Sequence, residues 1–79
     1  MGKAIFKSYE NGLFTFIFDD GLQVEFEEIH PKALYKYNLK VDTETYLDKE
    51  FKLTFSEVLH KQTEAIIYRI ESLSLVEVS

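Results

Sequence analysis

Histidine is the residue type whose charge ordinarily changes near neutral pH, and this sequence has two. His30 directly precedes Pro31, where it can cap a helix or face solvent, and His60 lies in a polar turn. Glu27, Glu28 and His30 carry atoms that can bind a metal ion, but their spacing matches no recognised metal-binding motif. The chain has no cysteine, which excludes thiolate metal clusters and disulfides. We therefore predict no metal site and no cofactor.

Other side chains that could catalyse a reaction also lack a recognisable arrangement. The serines lie in no nucleophile elbow, and the three isolated glycines form no phosphate-binding loop. Glu25 and Glu27 share one face of a predicted strand and could transfer protons, but we interpret them as a solvated face with Lys7 as a diagonal neighbour. The sequence therefore predicts no catalytic residue and a protein that is not an enzyme.

Alternation of apolar and polar residues, rich in aromatic and β-branched side chains, predicts the strands that position these groups. The alternating segments are residues 3–9, 13–18, 22–29, 50–58 and 65–71, and an apolar tail follows at 73–78. Seven phenylalanines and five tyrosines supply large side chains for a core in a chain of 79 residues. Length and composition thus predict one domain, residues 1–79.

A short amphipathic helix of about two turns is predicted after the third strand, and Pro31 suits its first turn. Lysines recur every four residues on one face, at Lys32, Lys36 and Lys40. Apolar residues share another face, at Leu34, Tyr37 and Val41. We interpret the basic stripe as the solvated side of the helix, balanced by Asp42 and Glu44. Asp42 also begins a turn or a second short helix.

The predicted order is three strands, a helix and two strands. Five short antiparallel strands with one short helix between strands 3 and 4 is the layout of an OB-like barrel, an all-β fold. Closing such a barrel removes most exposed strand edges, which favours it for a small apolar β protein. We predict this fold; an SH3-like barrel and an open α+β roll are the alternatives that the same pattern allows.

The segment GLFTFIFDDGLQVEFE, residues 12–27, is a hairpin whose register decides where its phenylalanines point. A two-residue turn would place Phe14 and Phe16 on one face with acidic residues. A three-residue loop ending in a left-handed glycine instead places Phe14 opposite Phe26 and Phe16 opposite Val24. Burying each large apolar side chain contributes roughly 1.5–3 kcal/mol, so we predict the three-residue loop and core positions for both rings.

The outer face of the first two strands is the predicted contact surface. A three-residue Glu10-Asn11-Gly12 loop leaves apolar residues side by side on this face, at Ile5, Tyr9, Leu13 and Ile17. Charged residues form the predicted rim, at Lys7, Glu25 and Glu27. We predict that this surface contacts a protein partner of unknown identity or a second copy. The helix or the carboxy-terminal tail could also cover it, and the sequence leaves both arrangements open.

Five stretches of the sequence are similar to one known family pattern. They are GKAIFKS, NGLFTF, DGLQVEFEEI, LDKEFKLTFSEV and EAIIYRIESL. Together they resemble the strands of the cold-shock domain, a nucleic-acid-binding OB barrel, over residues 2–29 and 47–75. That family stacks bases on aromatic residues of its second and third strands, where this chain has Leu13, Thr15, Glu25 and Glu27. The resemblance therefore implies the fold and does not carry over the family's stacking residues.

Single-stranded nucleic-acid binding is the alternative function. It would use Phe14 and Phe16 as a stacking surface, together with the basic residues Lys32, Lys36 and Lys40, and it needs the two-residue turn. Phosphate backbones are bound through neutralising lysines and arginines, and a chain with a net charge of −5 is poorly suited to them. We therefore predict a binding or assembly module for proteins in preference to one for nucleic acid.

No sequence pattern of a secreted or membrane protein is present. No stretch approaches the roughly 18 apolar residues of a membrane-spanning helix. The beginning, MGKAIFKSYENG, lacks the apolar run and small-residue cleavage site of a signal peptide. A cysteine-free chain also suits a reducing compartment. We therefore expect a cytoplasmic protein that does not bind a membrane.

Overall fold

The computed structural model describes residues 2–76, of which strands take 55% and helices 13%. The strands are β1 (Gly2–Glu10), β2 (Leu13–Phe18), β3 (Gln23–Phe26), β4 (Glu28–Ile29), β5 (Glu50–Leu59) and β6 (Ile66–Leu75). Two short helices, α1 (Pro31–Lys36) and α2 (Thr43–Tyr46), lie between β4 and β5. The prediction of a mostly β protein with helix after the third strand segment is confirmed. The predicted apolar tail, residues 73–78, extends β6 to Leu75, and residues 77 and 78 lie outside the described residues.

All six strands belong to one sheet, in the order β3-β2-β1-β5-β6-β4. β4 pairs with β6 in parallel, and the other pairs are antiparallel. The sheet is not closed, and its six strands differ from the five that alternation predicted. The difference arises at Glu27, which splits the predicted strand 22–29 because its amide donates to the Tyr68 carbonyl of β6 at 3.1 Å.

The β2–β3 hairpin has the predicted register. Phe14 lies opposite Phe26, and Phe16 lies opposite Val24. Gly21 ends a three-residue loop with φ of 89°, a left-handed conformation that costs glycine little and other residues more. Both predicted core positions are confirmed, since Phe14 and Phe16 are fully buried.

The β1–β2 hairpin differs from the prediction. Its turn has two residues, Asn11 and Gly12, with φ of 53° and 78°, and Glu10 lies opposite Leu13. Asn-Gly with both φ values positive is the favoured type I′ hairpin turn, whose twist matches that of the flanking strands. The predicted three-residue loop that included Glu10 is therefore wrong.

A β-bulge at Lys7 absorbs the residue that the shorter turn releases. Before the bulge, Phe6 lies opposite Phe16, as predicted. After the bulge the faces of β1 are exchanged, so Tyr9 lies opposite Phe14 and points inward. The two rings stack with centroids 4.4 Å apart. The predicted outward position of Tyr9 is thus wrong, and this ring belongs to the core side of the sheet.

The core consists mainly of aromatic rings. Its largest fully buried side chains are Phe6, Phe14, Phe16, Phe26, Phe51, Leu39, Leu53 and Ile70. Phe16 lies among them, with ring centroids 5.3 Å from Phe6, 5.8 Å from Phe26 and 6.3 Å from Phe51. Tilted and edge-to-face pairs of this kind each contribute roughly 0.5–1.5 kcal/mol beyond the area that they bury.

Helix α1 begins as predicted and ends earlier. The Nδ1 atom of His30 accepts from the Lys32 amide at 3.2 Å, so His30 caps the helix that Pro31 begins. The helix ends at Lys36, and Lys40 lies beyond it, so the three lysines do not form one helical stripe.

A turn after α1 reverses which apolar residue is buried. The Asn38 side chain accepts from the amides of Lys40 and Val41, each at 3.2 Å, and bends the chain there. As a result Leu39 is fully buried, whereas Val41 is 76% exposed. The predicted placement of Val41 on the apolar helix face is wrong because the helix has already ended. Asp42 precedes α2, which agrees with a second short helix.

Candidate contact surface

The outer face of β1 and β2 carries three of the four apolar residues predicted there. Ile5 lies directly opposite Ile17 across the two strands. Ile5 is 37% exposed, and Ile17 and Leu13 are half-buried. Leu13 lies on the same side of β2, separated from Ile17 by Thr15. The open apolar centre of this face is therefore the Ile5–Ile17 pair.

Tyr9 does not belong to this surface. It packs against the core cluster and stacks on Phe14. The bulge at Lys7 is the cause, because one inserted residue moves every later side chain of β1 to the opposite face. The bulge itself has no obvious signature in the sequence. The Asn11-Gly12 pair was the available signal, since it favours a two-residue turn.

The predicted rim residues are exposed and surround the apolar pair on different elements. Lys7 lies at the bulge, and its Nζ is 2.7 Å from Asp48 Oδ1. Both partners are exposed, so this ion pair contributes about 0–1 kcal/mol and leaves Lys7 available to another carboxylate. Glu25 of β3 lies opposite Thr15 of β2, and Glu27 lies at the bend that follows β3. Lys7 and Glu25 are thus on opposite sides of β2.

The residues predicted for nucleic-acid stacking cannot serve that role. Phe14 and Phe16 have no exposed surface, and the two-residue DDG turn that would expose them is absent from the β2–β3 hairpin. The lysines Lys32, Lys36 and Lys40 are exposed, but they are divided between α1 and the turn after it. The Lys36 Nζ lies 5.4 Å from the centroid of the Tyr37 ring. The predicted combination of aromatic platform and basic stripe is therefore wrong.

Both histidines have the same local role. Each accepts a backbone amide through Nδ1, from Lys32 at 3.2 Å for His30 and from Gln62 at 3.3 Å for His60. These contacts close a helix start and a turn, respectively. Among residues 2–76, no group of three histidine or acidic side chains is placed to hold a metal ion.

An ion pair on β6 was not predicted from the sequence. Glu71 Oε2 accepts from Arg69 Nε at 2.6 Å and from the Ser56 hydroxyl at 2.9 Å. The hydrogen bond from Arg69, followed by that from Ser56, lowers the pKa of Glu71, and the bond to Glu71 raises the pKa of Arg69. Both shifts favour the charged forms, as expected of a structural ion pair. Glu71 occupies a bulge opposite Thr54 and Phe55 of β5, which sequence alternation does not reveal.

A groove of about 600 Å³ follows the outer edge of β3 and was also missed. Its apolar lining residues are Leu13, Leu22, Val24, Phe55 and Tyr68. The charged residues that line it are Glu25 and Glu27. Tyr68 of β6 reaches this groove from the far end of the chain, and the Glu27 amide, just after β3, donates to its carbonyl, a tertiary contact that no local pattern predicts.

Comparisons with known proteins identify no relative, so the function is inferred from the geometry described above. The chain matches no protein-family model, no curated protein and no solved structure. Within residues 2–76, neither helix has the length and apolar character needed to cross a membrane.

Proposed function

We propose that this protein is a non-enzymatic binding and assembly module that contacts another polypeptide through the outer face of β1 and β2. The observation that carries the proposal is the Ile5–Ile17 pair, two large apolar side chains facing each other on an open sheet face. Covering apolar surface contributes roughly 25 cal/mol per Å², so a partner gains by burying this pair. A cysteine-free chain suits the cytoplasm as the place of action.

A second copy of the chain is the occupant that the rim charges favour. Lys7 and Glu25 lie on opposite sides of β2. A twofold axis running along β2 would place the Lys7 of each copy over the Glu25 of the other. Such an interface is self-complementary, as closed dimers require, and its charges set the orientation of the two sheets. Glu27 lies at the edge of the same interface.

The pKa shifts of Arg69 and Glu71 do not make this ion pair a candidate for acid–base catalysis. A general acid or base is effective when its pKa lies near the working pH. The shifts of Arg69 and Glu71 run in the opposite direction, because each group is held in its charged form by the other. Their arrangement stabilises the β5–β6 pair and provides no proton donor or acceptor for a substrate.

The fold that we propose for this module is an OB-like barrel in which β3 and β4 are two halves of one strand. Glu27 alone separates β3 from β4 along the chain. β3 pairs with β2, and β4 pairs with β6 at the other end of the strand order. Counting the two halves as one strand gives five strands with a helical segment between the third and the fourth. This interpretation agrees with the resemblance to the cold-shock domain.

The proposal is tested by measuring the oligomeric state of the Ile5→Asp, Ile17→Asp double variant. Sedimentation over a wide concentration range should show a reversible dimer for the unchanged protein and a monomer for the variant. Two buried carboxylates without partners make the interface unfavourable. The circular dichroism spectrum should stay β-type, because both side chains lie outside the core cluster.

Val41→Asp is a control that adds one of the two carboxylates of the double variant, at a side chain that is 76% exposed and distant in sequence from the strands. It should leave the dimer unchanged. Exchanging the rim charges in a Lys7→Glu, Glu25→Lys variant should restore a dimer that Lys7→Glu alone weakens. An unchanged protein that stays monomeric at every concentration would overturn self-association. A double variant that unfolds would instead show that Ile5 and Ile17 hold the sheet together.

A further inference from the structure

β3 is the end strand of the sheet, and within residues 2–76 no strand pairs with its outer edge. The Phe18 amide of β2 donates to the Leu22 carbonyl at 2.8 Å, so the peptide groups of Leu22 face β2. Peptide groups of an antiparallel strand face alternate sides. Those of Gln23 and Glu25 therefore face the open edge. An edge strand of this kind is a ready template for a further strand.

Glu27 is the next residue whose peptide groups face away from β2. The Glu27 amide points away from β2 and donates to the Tyr68 carbonyl of β6 at 3.1 Å. The groove of about 600 Å³ lies along β3 and is lined on its other side by Phe55 and Tyr68. With a rise of about 3.3 Å per residue, the four residues of β3 offer an edge about 13 Å long. An extended segment of about four residues fits along it.

Side chains of an added strand would meet two different environments. Directly opposite residues of neighbouring strands point to the same face of a sheet. A residue opposite Val24 would point into the groove, where Phe55 packs with ring centroids 5.1 Å from Phe26 and 6.0 Å from Tyr68. Tyr68 is 39% exposed there and has apolar surface to bury. A residue opposite Glu25 would point to the acidic outer face.

The charges of the groove restrict what can occupy it. Its charged lining residues are Glu25 and Glu27, and the whole chain has a net charge of −5. Pairing of β3 with β3 of a second copy would bring these carboxylates together, and like charges across a strand pair are destabilising. A segment with lysine or arginine at these positions would gain from the same carboxylates.

We propose that the open edge of β3 binds an extended segment of a partner protein as an added strand, and that apolar residues alternate with lysine or arginine in that segment. Backbone hydrogen bonds to Gln23 and Glu25 supply the attachment, and the alternation supplies the specificity. This site shares Glu25 and Glu27 with the rim of the proposed dimer interface, but it does not use the Ile5–Ile17 pair and does not depend on self-association through that pair.

The test is a titration of the isotope-labelled protein with a capped peptide of alternating valine and lysine, followed by nuclear magnetic resonance. Saturable shifts should concentrate at the amides of Gln23 and Glu25, and these amides should exchange with solvent more slowly when the peptide is bound. Binding should weaken as salt rises, because the charge pairs are exposed. Two control peptides, one with valines and lysines in separate blocks and one of alternating valine and glutamate, should bind several-fold more weakly.

Protein variants separate the backbone and charge contributions. Gln23→Pro removes an edge-facing amide without removing a bond to β2, a substitution that edge strands tolerate, and it should weaken the peptide at least several-fold. Glu25→Lys should weaken the valine–lysine peptide and strengthen the valine–glutamate peptide. Glu44→Lys on α2 makes the same charge change away from the groove and should preserve that order of affinities.

Three results would overturn this site. They are equal binding of the three peptides, no binding of the valine–lysine peptide, and shifts centred on Ile5 and Ile17 in place of β3. If Gln23→Pro does not fold, exchange of the Gln23 and Glu25 amides in the unchanged protein decides the question. The Ile5→Asp, Ile17→Asp variant should keep its peptide binding, so failure of dimerisation and failure of peptide binding are separate outcomes.

Discussion

Tyr9 shows how one inserted residue redistributes side chains between the core and the surface. Alternation alone places it outside beside Leu13, whereas the bulge at Lys7 turns it onto Phe14. We expect Tyr9→Ala to lower the free energy of unfolding by about 2 kcal/mol, less than the 3–5 kcal/mol of a fully buried ring because Tyr9 is half-buried. Urea denaturation measures this change. Tyr9→Phe keeps the ring and should cost much less.

A loss near zero for Tyr9→Ala would mean that the ring faces solvent, as the longer turn requires. The same result would return Tyr9 to the outer face and enlarge the proposed contact surface. The Tyr9 substitution therefore tests both the bulge and the composition of that surface.

Glu71 makes the stability of the fold depend on pH, and the direction of that dependence follows from its pKa shift. Its pKa in the folded protein is lowered from the ordinary 4.5, first by the hydrogen bond from Arg69 and then by that from Ser56. A carboxyl with a lowered folded pKa stabilises the fold above its unfolded pKa, and the contribution is lost as pH falls through the folded pKa. The affected window therefore lies at and below about pH 4.5.

We expect Glu71→Gln to be destabilising at neutral pH and to lose less stability on acidification than the unchanged protein. Urea denaturation from about pH 7 to about pH 3 measures both slopes. Glu57→Gln, an exposed residue of the neighbouring strand, is a matched substitution that should leave the acid slope unchanged. Parallel pH profiles for the unchanged protein and Glu71→Gln would show that the ion pair with Arg69 does not persist in solution.

At the scale of the elements, the sequence pattern predicted the features that depend on residues close in sequence, namely strand register and turn conformation in the β2–β3 hairpin. The β2–β3 register follows from the sequence because the alternative would separate apolar residues that Phe14 and Phe26 bring together. The positive φ at Gly21 follows from the same turn. The sequence interpretation missed the end of α1. Asn38 was the available signal, because its short side chain competes with the helix for backbone amides.

Features set by distant contacts could not be predicted from alternation. The sequence VEFEEI continues the strand pattern through Glu27, yet the chain changes partners there because β6 accepts its amide. The bulges at Lys7 and Glu71 likewise follow from how pairs of strands match in length and twist. Consequently the Ile5–Ile17 pair was predictable from the sequence, whereas the open edge of β3 and its groove were not.

For the whole molecule, charge and burial together exclude the stacking surface on which the nucleic-acid alternative relied. The chain carries a net charge of −5, and Phe14 and Phe16 are fully buried. We therefore expect fluorescence anisotropy of labelled single-stranded DNA and RNA to show no saturable binding at low salt, up to about 10⁻⁴ M protein. That concentration is the weak end of ordinary non-specific binding by basic proteins.

Binding that fell steeply with rising salt would contradict this expectation and would assign phosphate contacts to the exposed lysines. A Lys36→Glu variant would then show whether α1 provides those contacts, since the reversed charge should weaken such binding while Lys61→Glu in the β5–β6 turn leaves it unchanged.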